Sequence, residues 1–461
     1  MEERSSAKKF QQLRIEYPWL AYESFRYGYD QGVLWAEFHF NLAGKYSFRP
    51  TFRIENRPFY QHVDEAAIEN LVFHIGMVEM ISYWKAACPP RVIIKPFFLN
   101  PEAQAWWRKL FFHGLGEFFH TNGILPGYDD VVNFEFEGAN TNKPFSLPVG
   151  RGDLLPVGGG KDSALSLALL TGANRSVIPF LLNPVAASIQ LIVRAGLALD
   201  EAVVVHRTID PTLLWLNAQG FLNGHTPFSA LLAFMALLGS TLTGSSNIVL
   251  SNESSANEAT IPGTTINHQY SKSFEFEKDF RRYYQQHISA DFNYFSFLRP
   301  INELQIAGLF AKLKSFHPVF RSCNAGSKTG EWCGKCPKCL FTYIILSPLM
   351  PGADVEAIFG RDLFSDADLR TYFNQLCGLT EEKPFDCIGT IGEVNAALAQ
   401  TIRNKDTAPL PLLLNDYAAR QDSAISRNFN FEHLMQQFHH EHFLPQEFES
   451  ILKTALDESI S

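Results

Sequence analysis

The chain has 461 residues, of which 46% are hydrophobic and 19% charged, and a formal net charge of −9. Its length allows at least one large core, and its acidic balance disfavours nucleic acid as a partner, because neutralising phosphates requires clustered Lys and Arg. The charged N-terminus lacks a signal-like apolar run, and the apolar stretch from Phe228 is too short and interrupted for a bilayer, so we expect a cytoplasmic protein without a membrane partner.

Residues 1–150 are rich in Phe, Tyr and Trp. Runs such as GVLWAEFHFNLAGKYSFRPTFRI predict strands separated by turns, whereas AQAWWRKLFFHGLGEFFH predicts a helix. We therefore predict a mixed α+β N-terminal domain. Its aromatic residues are more typical of a core than of a ligand site, and substrate binding is the open alternative for this region.

Residues 151–345 alternate short apolar strands, VIPFLL, EAVVVH and NIVLS, with helical runs. This alternation predicts an α/β domain with a doubly wound parallel sheet covered by helices on both faces. Ligands of such sheets bind beyond the carboxyl ends of the strands, so we expect function in the loops after Val157, His206 and Ser251. Residues 346–461 predict a helical, polar C-terminal region.

The stretch LLPVGGGKDSALSLALL predicts a strand, a glycine loop and a helix, which is the outline of an anion site. It is not a Walker loop, because Asp162 follows Lys161 and Leu155 stands where the first glycine would be. A dinucleotide fingerprint is also disfavoured, because no acidic residue occurs from Ala164 through Leu199. A third type of phosphate loop therefore has to be considered.

Four cysteines follow in the pattern C-x9-C-x2-C-x2-C: Cys323, Cys333, Cys336 and Cys339. Four thiolates can fill a tetrahedral zinc shell and leave no open position, so we predict a structural Zn²⁺ site. Free thiols and a cysteine-ligated cluster are the alternatives. The remaining cysteines have no partner at useful spacing and are expected to be buried thiols: Cys88, Cys377 and Cys387.

Polar residues crowd the segment after the strand NIVLS. Asn252, Glu253, Asn257 and Glu258 are expected at the mouth of the sheet, where acids are better candidates for function than for surface. The dense polar run INHQYSKS offers His268 and Lys272 for proton transfer, with His225 as a third candidate. The run HHEHF at 439–443 is interpreted as a polar helix face rather than as a metal site.

The loop GGGKDS resembles the S-G-G-x-D-S loop of the PP-loop ATP pyrophosphatases, with Gly158 in place of the first serine. This resemblance implies that the loop binds the phosphates of ATP, with Mg²⁺ on the pyrophosphate and Asp162 orienting the loop or placing the metal. For Lys161, a solvated loop lysine is an equal alternative. The implied ATP-binding residues are Gly158, Gly159, Gly160, Lys161, Ser163 and Asn252.

The loop, the stretch SNESSANEATIPGTTINHQYSKSFEFE and the run CGKCPKC together resemble the ATP-dependent epimerases of UDP-N-acetylmuramoyl-L-alanyl-L-glutamate. That family implies a small-molecule substrate whose terminal L-Glu is capped as an acyl-adenylate, inverted to D-Glu and released with AMP and pyrophosphate, for peptidoglycan synthesis. Adenylation supplies an electron sink, so one group can remove the Cα proton and another return it. The implied catalytic residues are Asp162, Glu253, Glu258, His268 and Lys272.

Two alternatives remain open on the sequence. One is a PP-loop adenylating ligase or amidating enzyme related to 7-cyano-7-deazaguanine synthase, whose cysteine arrangement and strand–Pro–helix lead-in are similar. The other is a nucleotide sensor with a zinc site, which would bind ATP without releasing pyrophosphate.

Overall fold

A computed structural model of the chain describes residues 2–55, 63–147, 150–326, 329–405, 409–420 and 430–460. Its strands are β1 Trp19–Asp30, β2 Val33–Leu42, β3 Tyr46–Phe48, β4 Thr51–Glu55, β5 Arg91–Ile94, β6 Asn133–Phe136, β7 Asp153–Pro156, β8 Val177–Leu182, β9 Val203–Arg207, β10 Asn247–Leu250 and β11 Asn293–Ser296. All of them belong to one sheet, in the order β11-β10-β7-β8-β9-β4-β2-β1-β5-β6, with β3 paired to β2.

The sheet combines two parallel portions. Strands β11, β10, β7, β8 and β9 are parallel, and so are β1, β5 and β6. Between them, β4 and β2 run antiparallel to their neighbours. The strands of residues 1–150 and of 151–345 meet at β4 and β9, where Ile54 lies opposite Val205. The predicted α/β class with a doubly wound parallel core is therefore confirmed.

Helices cover both faces of this sheet. They are α1 Glu2–Glu16, α2 Glu65–Trp84, α3 Pro101–Gly114, α4 Gly116–Thr121, α5 Lys161–Gly172, α6 Ala186–Arg194, α7 Pro211–Ala218, α8 Phe228–Thr243, α9 Phe274–His287, α10 Glu303–Ala311, α11 Pro337–Leu346, α12 Gly352–Phe359, α13 Arg370–Leu376, α14 Ile391–Arg403, α15 Leu412–Ala418, α16 Phe431–Gln436 and α17 Gln446–Ile460.

The sheet separates two apolar cores because successive strand residues point to opposite faces. Leu154 and Ile248 enter one core with α2, α3, α8 and α9. Leu155 and Val249 enter the other with α5, α10, α11, α14 and α17. Helix α2 is apolar around most of its circumference and is buried along most of its length, as expected for a central helix.

The C-terminal region is helical, as predicted, and packs on the second core. The run HHEHF is different: residues 439–443 lie in irregular backbone between α16 and α17, so the prediction of a helix face was wrong. The backbone N–H of His439 donates to the carbonyl of Pro300 at 2.7 Å, which replaces a helical bond. Among the described residues, no helix combines the length and apolar character that crossing a membrane requires.

Candidate active site

A cavity of about 560 Å³ opens at the carboxyl ends of β7 and β10. These strands are neighbours, and the strand order reverses between them, which is where open α/β sheets bind ligands. The cavity is lined by residues from the core and the C-terminal region, including Gly158, Gly160, Lys161, Asp162, Ser163, His225, Asn252, Glu253, His268, Lys272, Glu303 and Cys387.

The glycine loop connects β7 to α5 at the base of this cavity. Gly159 has φ of +99°, and a Cβ on it would lie 3.0 Å from Cβ of Ala187 and 3.1 Å from the backbone N of Ser188, so glycine is required there. A Cβ on Gly158 would meet nothing within 4 Å. The serine that the PP-loop pattern carries at this position would therefore fit.

The backbone N–H groups of residues 158–163 have no hydrogen-bond acceptor among the described residues. Helix α5 begins at Lys161, and its N-cap, Gly160, provides no side-chain cap. Unpaired N–H groups at a helix N-terminus favour an anion through their hydrogen bonds and the helix dipole. The loop could therefore hold an anion such as a phosphate group.

Three carboxylates stand beside the loop. Oxygen atoms of Asp162, Glu253 and Glu303 all lie within 4.8 Å of one another. The ammonium of Lys161 is buried against two of them, at 2.5 Å from Asp162 and in contact with Glu303. A solvated Lys161 is thus ruled out. Burial raises the pKa of Glu303 well above its ordinary value, and burial and then Asp162 raise the pKa of Glu253.

This acidic group fits a hard divalent cation. Carboxylate oxygens are ligands that suit Mg²⁺, which usually keeps few protein carboxylates and several waters. Although burial alone would lower the pKa of Lys161, Asp162 and Glu303 raise it above its ordinary value, so the lysine stays charged. Asp162, Glu253 and Glu303 are the residues that could hold the metal.

On the opposite wall, two histidines share one carboxylate. Nδ1 of His225 lies 3.3 Å from Oε2 of Glu117, and Nδ1 of His268 contacts the same oxygen. Burial lowers the pKa of His225 to about 3, with His268 adding to the shift. Burial acts the same way on His268, but Cys387 and Glu117 outweigh it and raise its pKa to about 9. At neutral pH, His268 is therefore a positively charged imidazolium and His225 is a neutral imidazole.

Arg299 fixes the backbone on which two of the candidates stand. Its side chain is 1% exposed, and its guanidinium donates to the carbonyls of Glu253 and Lys272 at 2.5 Å each and to Oε2 of Glu277 at 3.1 Å. A buried guanidinium needs such acceptors to offset its desolvation. Arg299 thus ties the segment after β10 to the segment before α9.

The cavity brings together four of the five predicted catalytic residues: Asp162, Glu253, His268 and Lys272. Glu258 lies outside it, where it pairs with Lys383 and accepts from the backbone N–H of Ile391 at 3.3 Å. Of the predicted ATP-binding residues, Asn252 lines the cavity and donates to Oγ of Ser296 at 3.1 Å. Asn257 accepts from the N–H of Phe274 instead of facing the cavity.

Two residues that line the cavity, Glu303 and Cys387, and one that contacts its histidines, Glu117, were missed as functional candidates from the sequence. Glu303 begins α10 after the N-cap Asn302, so its only local signal is that of a helix start. Glu117 lies in an aromatic helical run, α4, far from the loop in sequence. Cys387 was expected to be a buried structural thiol, whereas it lines the cavity. No local pattern marks either of the last two.

The four clustered cysteines come together beside the core. Their Sγ atoms lie within 4.8 Å of one another, with Cys333 and Cys336 each 3.5 Å from Cys339 and Cys336 3.6 Å from Cys323. Zn–S bonds of about 2.3 Å in a tetrahedron place sulfurs roughly 3.8 Å apart. The N–H of Gly326 donates to Sγ of Cys323 at 3.2 Å, as to a thiolate. The four residues fit zinc.

A doubly wound sheet with this glycine loop at its switch point defines the class, an α/β protein of the PP-loop type. Comparison with known sequences then gives the family. The family model described as the MurL N-terminal domain matches residues 11–297, and that of the MurL C-terminal domain matches residues 319–429. The chain belongs to the MurL family.

Curated relatives carry the name UDP-N-acetyl-alpha-D-muramoyl-L-alanyl-L-glutamate epimerase. The protein from Xanthomonas oryzae pv. oryzae is 36% identical over 348 residues, 72% of this chain and 74% of its own length. Those from Salinispora tropica and a Micromonospora species are each 36% identical over 334 residues, 70% of this chain and 71% and 73% of their own lengths. No solved structure matches the chain significantly.

Proposed function

We propose that the protein is an ATP-dependent epimerase that inverts the terminal L-Glu of UDP-MurNAc-L-Ala-L-Glu to D-Glu through an acyl-adenylate. The relatives named for this epimerisation support the substrate and the inversion. The observation that carries ATP dependence is the row of unpaired N–H groups at 158–163, which faces a cavity also lined by carboxylates. The product would enter peptidoglycan precursor synthesis.

Each part of the cavity has a task in this reaction. The N–H groups of the loop hold the β and γ phosphates. Asp162, Glu253 and Glu303 are the residues that would hold Mg²⁺, which would screen charge on the pyrophosphate. The substrate carboxylate attacks the α-phosphorus, and pyrophosphate leaves. Adenylation removes the carboxylate charge, which lowers the barrier to removing the Cα proton, because the carbonyl accepts the electron pair. After a proton is returned to the opposite face, water hydrolyses the acyl-adenylate to the D-Glu carboxylate and AMP.

Two further assignments belong to this proposal. The four clustered cysteines hold a structural Zn²⁺ that fixes the segment after α10 against the core, and with all four positions filled the metal has no catalytic role. We place the enzyme in the cytoplasm, because it uses ATP and a nucleotide-linked substrate and keeps its cysteines as thiols.

The test is an incubation of the protein with ATP, Mg²⁺ and UDP-MurNAc-L-Ala-L-Glu, with pyrophosphate and glutamate chirality followed together. We expect both pyrophosphate release and D-Glu, each dependent on the dipeptide substrate. Pyrophosphate without inversion would overturn the proposal in favour of a ligase. ATP binding without pyrophosphate release would overturn it in favour of a sensor.

A matched pair of acid variants tests the role of the acidic group. Asp162→Asn should reduce pyrophosphate release by at least about 100-fold, the scale on which electrostatic groups act in catalysis. Glu258→Gln removes a carboxylate of the segment after β10 that lies outside the cavity, and we expect it to retain most of the activity if the protein stays folded. Equal losses in both variants would contradict the assignment.

A further inference from the structure

A thiol and an imidazole from distant parts of the chain line the cavity together, and a carboxylate contacts the imidazole. Glu117 comes from α4, His268 from the loop before α9, and Cys387 from the loop before α14. Nδ1 of His268 contacts Glu117. His268 and Cys387 line the same cavity, and Cys387 together with Glu117 raises the pKa of His268.

The charges around Cys387 favour its thiolate. Lys272, His268 and Lys338 line the same cavity as Cys387, and Asp386 is the acid next to it in the chain. Burial alone would raise the pKa of Cys387, but Lys272, His268 and Lys338 lower it well below its ordinary value. Thiols beside cationic side chains are the reactive ones in proteins.

The two cysteines that lie outside both the cavity and the zinc cluster differ from Cys387. Cys88 and Cys377 are 0% and 1% exposed, and burial raises the pKa of each thiol. Neither lines the cavity. The features of Cys387 therefore come from its position and not from a general property of cysteines in this fold.

We propose that Cys387 is a catalytic residue whose thiolate exchanges a proton with Cα of the activated glutamate, and that His268 and Glu117 are positioning residues for it. This inference rests on the proposed function, because an unactivated glutamate has too weak a Cα acid for a thiolate. Protonated His268 and Lys272 are able to donate a proton at neutral pH but not to accept one, so neither is suited to the first step.

The step is balanced as a proton transfer. The Cα–H bond breaks, an S–H bond forms on Cys387, and the electron pair moves into the carbonyl of the acyl-adenylate. A solvent-derived proton delivered to the opposite face of Cα completes the inversion. The Cys387 thiol then returns its proton to solvent, and no oxidant or reductant is required.

The first test separates activation from proton transfer. Cys387→Ser should keep dipeptide-dependent pyrophosphate release within about threefold of the wild type. Its rates of inversion and of deuterium incorporation at Cα in D₂O should fall by about 100-fold or more, as expected for removal of an acid–base group. Cys377→Ser is the matched control, because it alters a thiol outside the cavity, and both of its rates should stay near those of the wild type.

The second test does not depend on turnover. At pH 6.5, iodoacetamide should label Cys387 faster than Cys88 or Cys377 in the folded holoprotein, as located by peptide mass spectrometry. Glu117→Gln should slow this labelling and move its pH profile upward, because His268 holds its proton less firmly without the carboxylate. The exposed pair of His120 and Glu382, 3.1 Å apart, supplies the control Glu382→Gln, which should leave the profile unchanged.

Several outcomes would overturn the inference. One is a Cys387→Ser protein that inverts glutamate at the wild-type rate. Another is a folded Cys387→Ser protein that loses pyrophosphate release and inversion in parallel. The third is a substrate thioester on Cys387 in quenched wild-type enzyme. A labelling profile that Glu117→Gln does not move would refute the positioning role. If the wild type releases no pyrophosphate with this substrate, the proposed function fails, and labelling still reports separately on the thiolate.

Discussion

At the level of single residues, the cavity depends on groups whose neighbours give them unusual properties. Gly159 holds a backbone conformation that side chains rarely adopt, and Lys161 stays charged although it is buried. His225 and His268 share Glu117, yet their pKa values are shifted in opposite directions. In each case the residue type alone would have predicted an ordinary loop residue.

The glycine loop gives a prediction with an internal control. Gly159→Ala places a Cβ 3.0 Å from Ala187 at positive φ, so we expect a loss of roughly 1–3 kcal/mol in the free energy of unfolding and loss of pyrophosphate release. Gly158→Ser meets open space and should retain stability and activity. Denaturant unfolding and a pyrophosphate assay measure both variants. Equal damage from the two substitutions would refute this account of the loop.

His268 gives a prediction on pH. Its pKa is raised to about 9 in the folded protein against about 6.5 unfolded, so its proton stabilises the fold fully below pH 6.5. That contribution is lost as the pH rises through 9. The difference in unfolding free energy between the wild type and His268→Gln should therefore shrink between pH 6.5 and 9.5.

Cys387 contributes more than Glu117 does to the raised pKa of His268. In a Cys387→Ser background, the stabilisation by the His268 proton should therefore be lost at a lower pH. NMR titration of the imidazole provides an independent measurement. An unshifted His268 titration near 6.5 would contradict the prediction.

At the level of helices and strands, the cavity is assembled by connections between elements. The loop after β7 leads into α5, the segment after β10 carries Glu253, and α10 presents Glu303. Arg299 joins the segment after β10 to the one before α9 through two backbone carbonyls. The four cysteines close the segment that connects α10 to α11.

We predict that zinc stabilises this last connection. Purified protein should contain one zinc per chain, and Cys336→Ser or a strong chelator should release it and lower the thermal midpoint, because binding energy at a structural site is folding energy. Cys377→Ser serves as the control, since it changes a thiol outside the cluster and should leave zinc bound. Metal analysis and thermal unfolding give the readouts. Protein without zinc at full stability would disprove the assignment.

Across the whole chain, the continuous sheet unites regions that the sequence presents as separate. Antiparallel pairing of β4 with β9 links residues 1–150 to residues 151–345, and α2 packs against α8 in the core of the first face. Cys387 lines the cavity from the C-terminal region, and Glu117 of the N-terminal region contacts the lining residues His225 and His268. Folding of the catalytic region is therefore coupled to that of the N-terminal region.

This coupling predicts the behaviour of a fragment. A chain of residues 151–461 would expose the edge of β9 and the apolar face of α8, and unpaired edges and large apolar patches promote aggregation. We expect no cooperative thermal transition from this fragment, whereas the full chain should show one. Calorimetry and light scattering would make the comparison. A fragment that unfolds cooperatively as a monomer would refute the coupling.

The sequence by itself determined the features that contiguous residues encode. These features are the strand, glycine loop and helix around Gly159, the alternation of strands and helices in the core, and the spacing of the clustered cysteines. All of them are local, because hydrogen bonding, backbone freedom and ligand geometry act over a few residues. The polar run after β10 was also enough to place Glu253, His268 and Lys272 near one another.

Only the tertiary structure decided which distant groups meet. It brought Glu303 and Cys387 into the cavity, set Glu117 against His225 and His268, and left Glu258 outside, paired with Lys383. It also merged two predicted regions into one sheet. These outcomes depend on strand order and on packing between segments far apart in the chain, and such long-range contacts leave no periodic signal in any short stretch of residues.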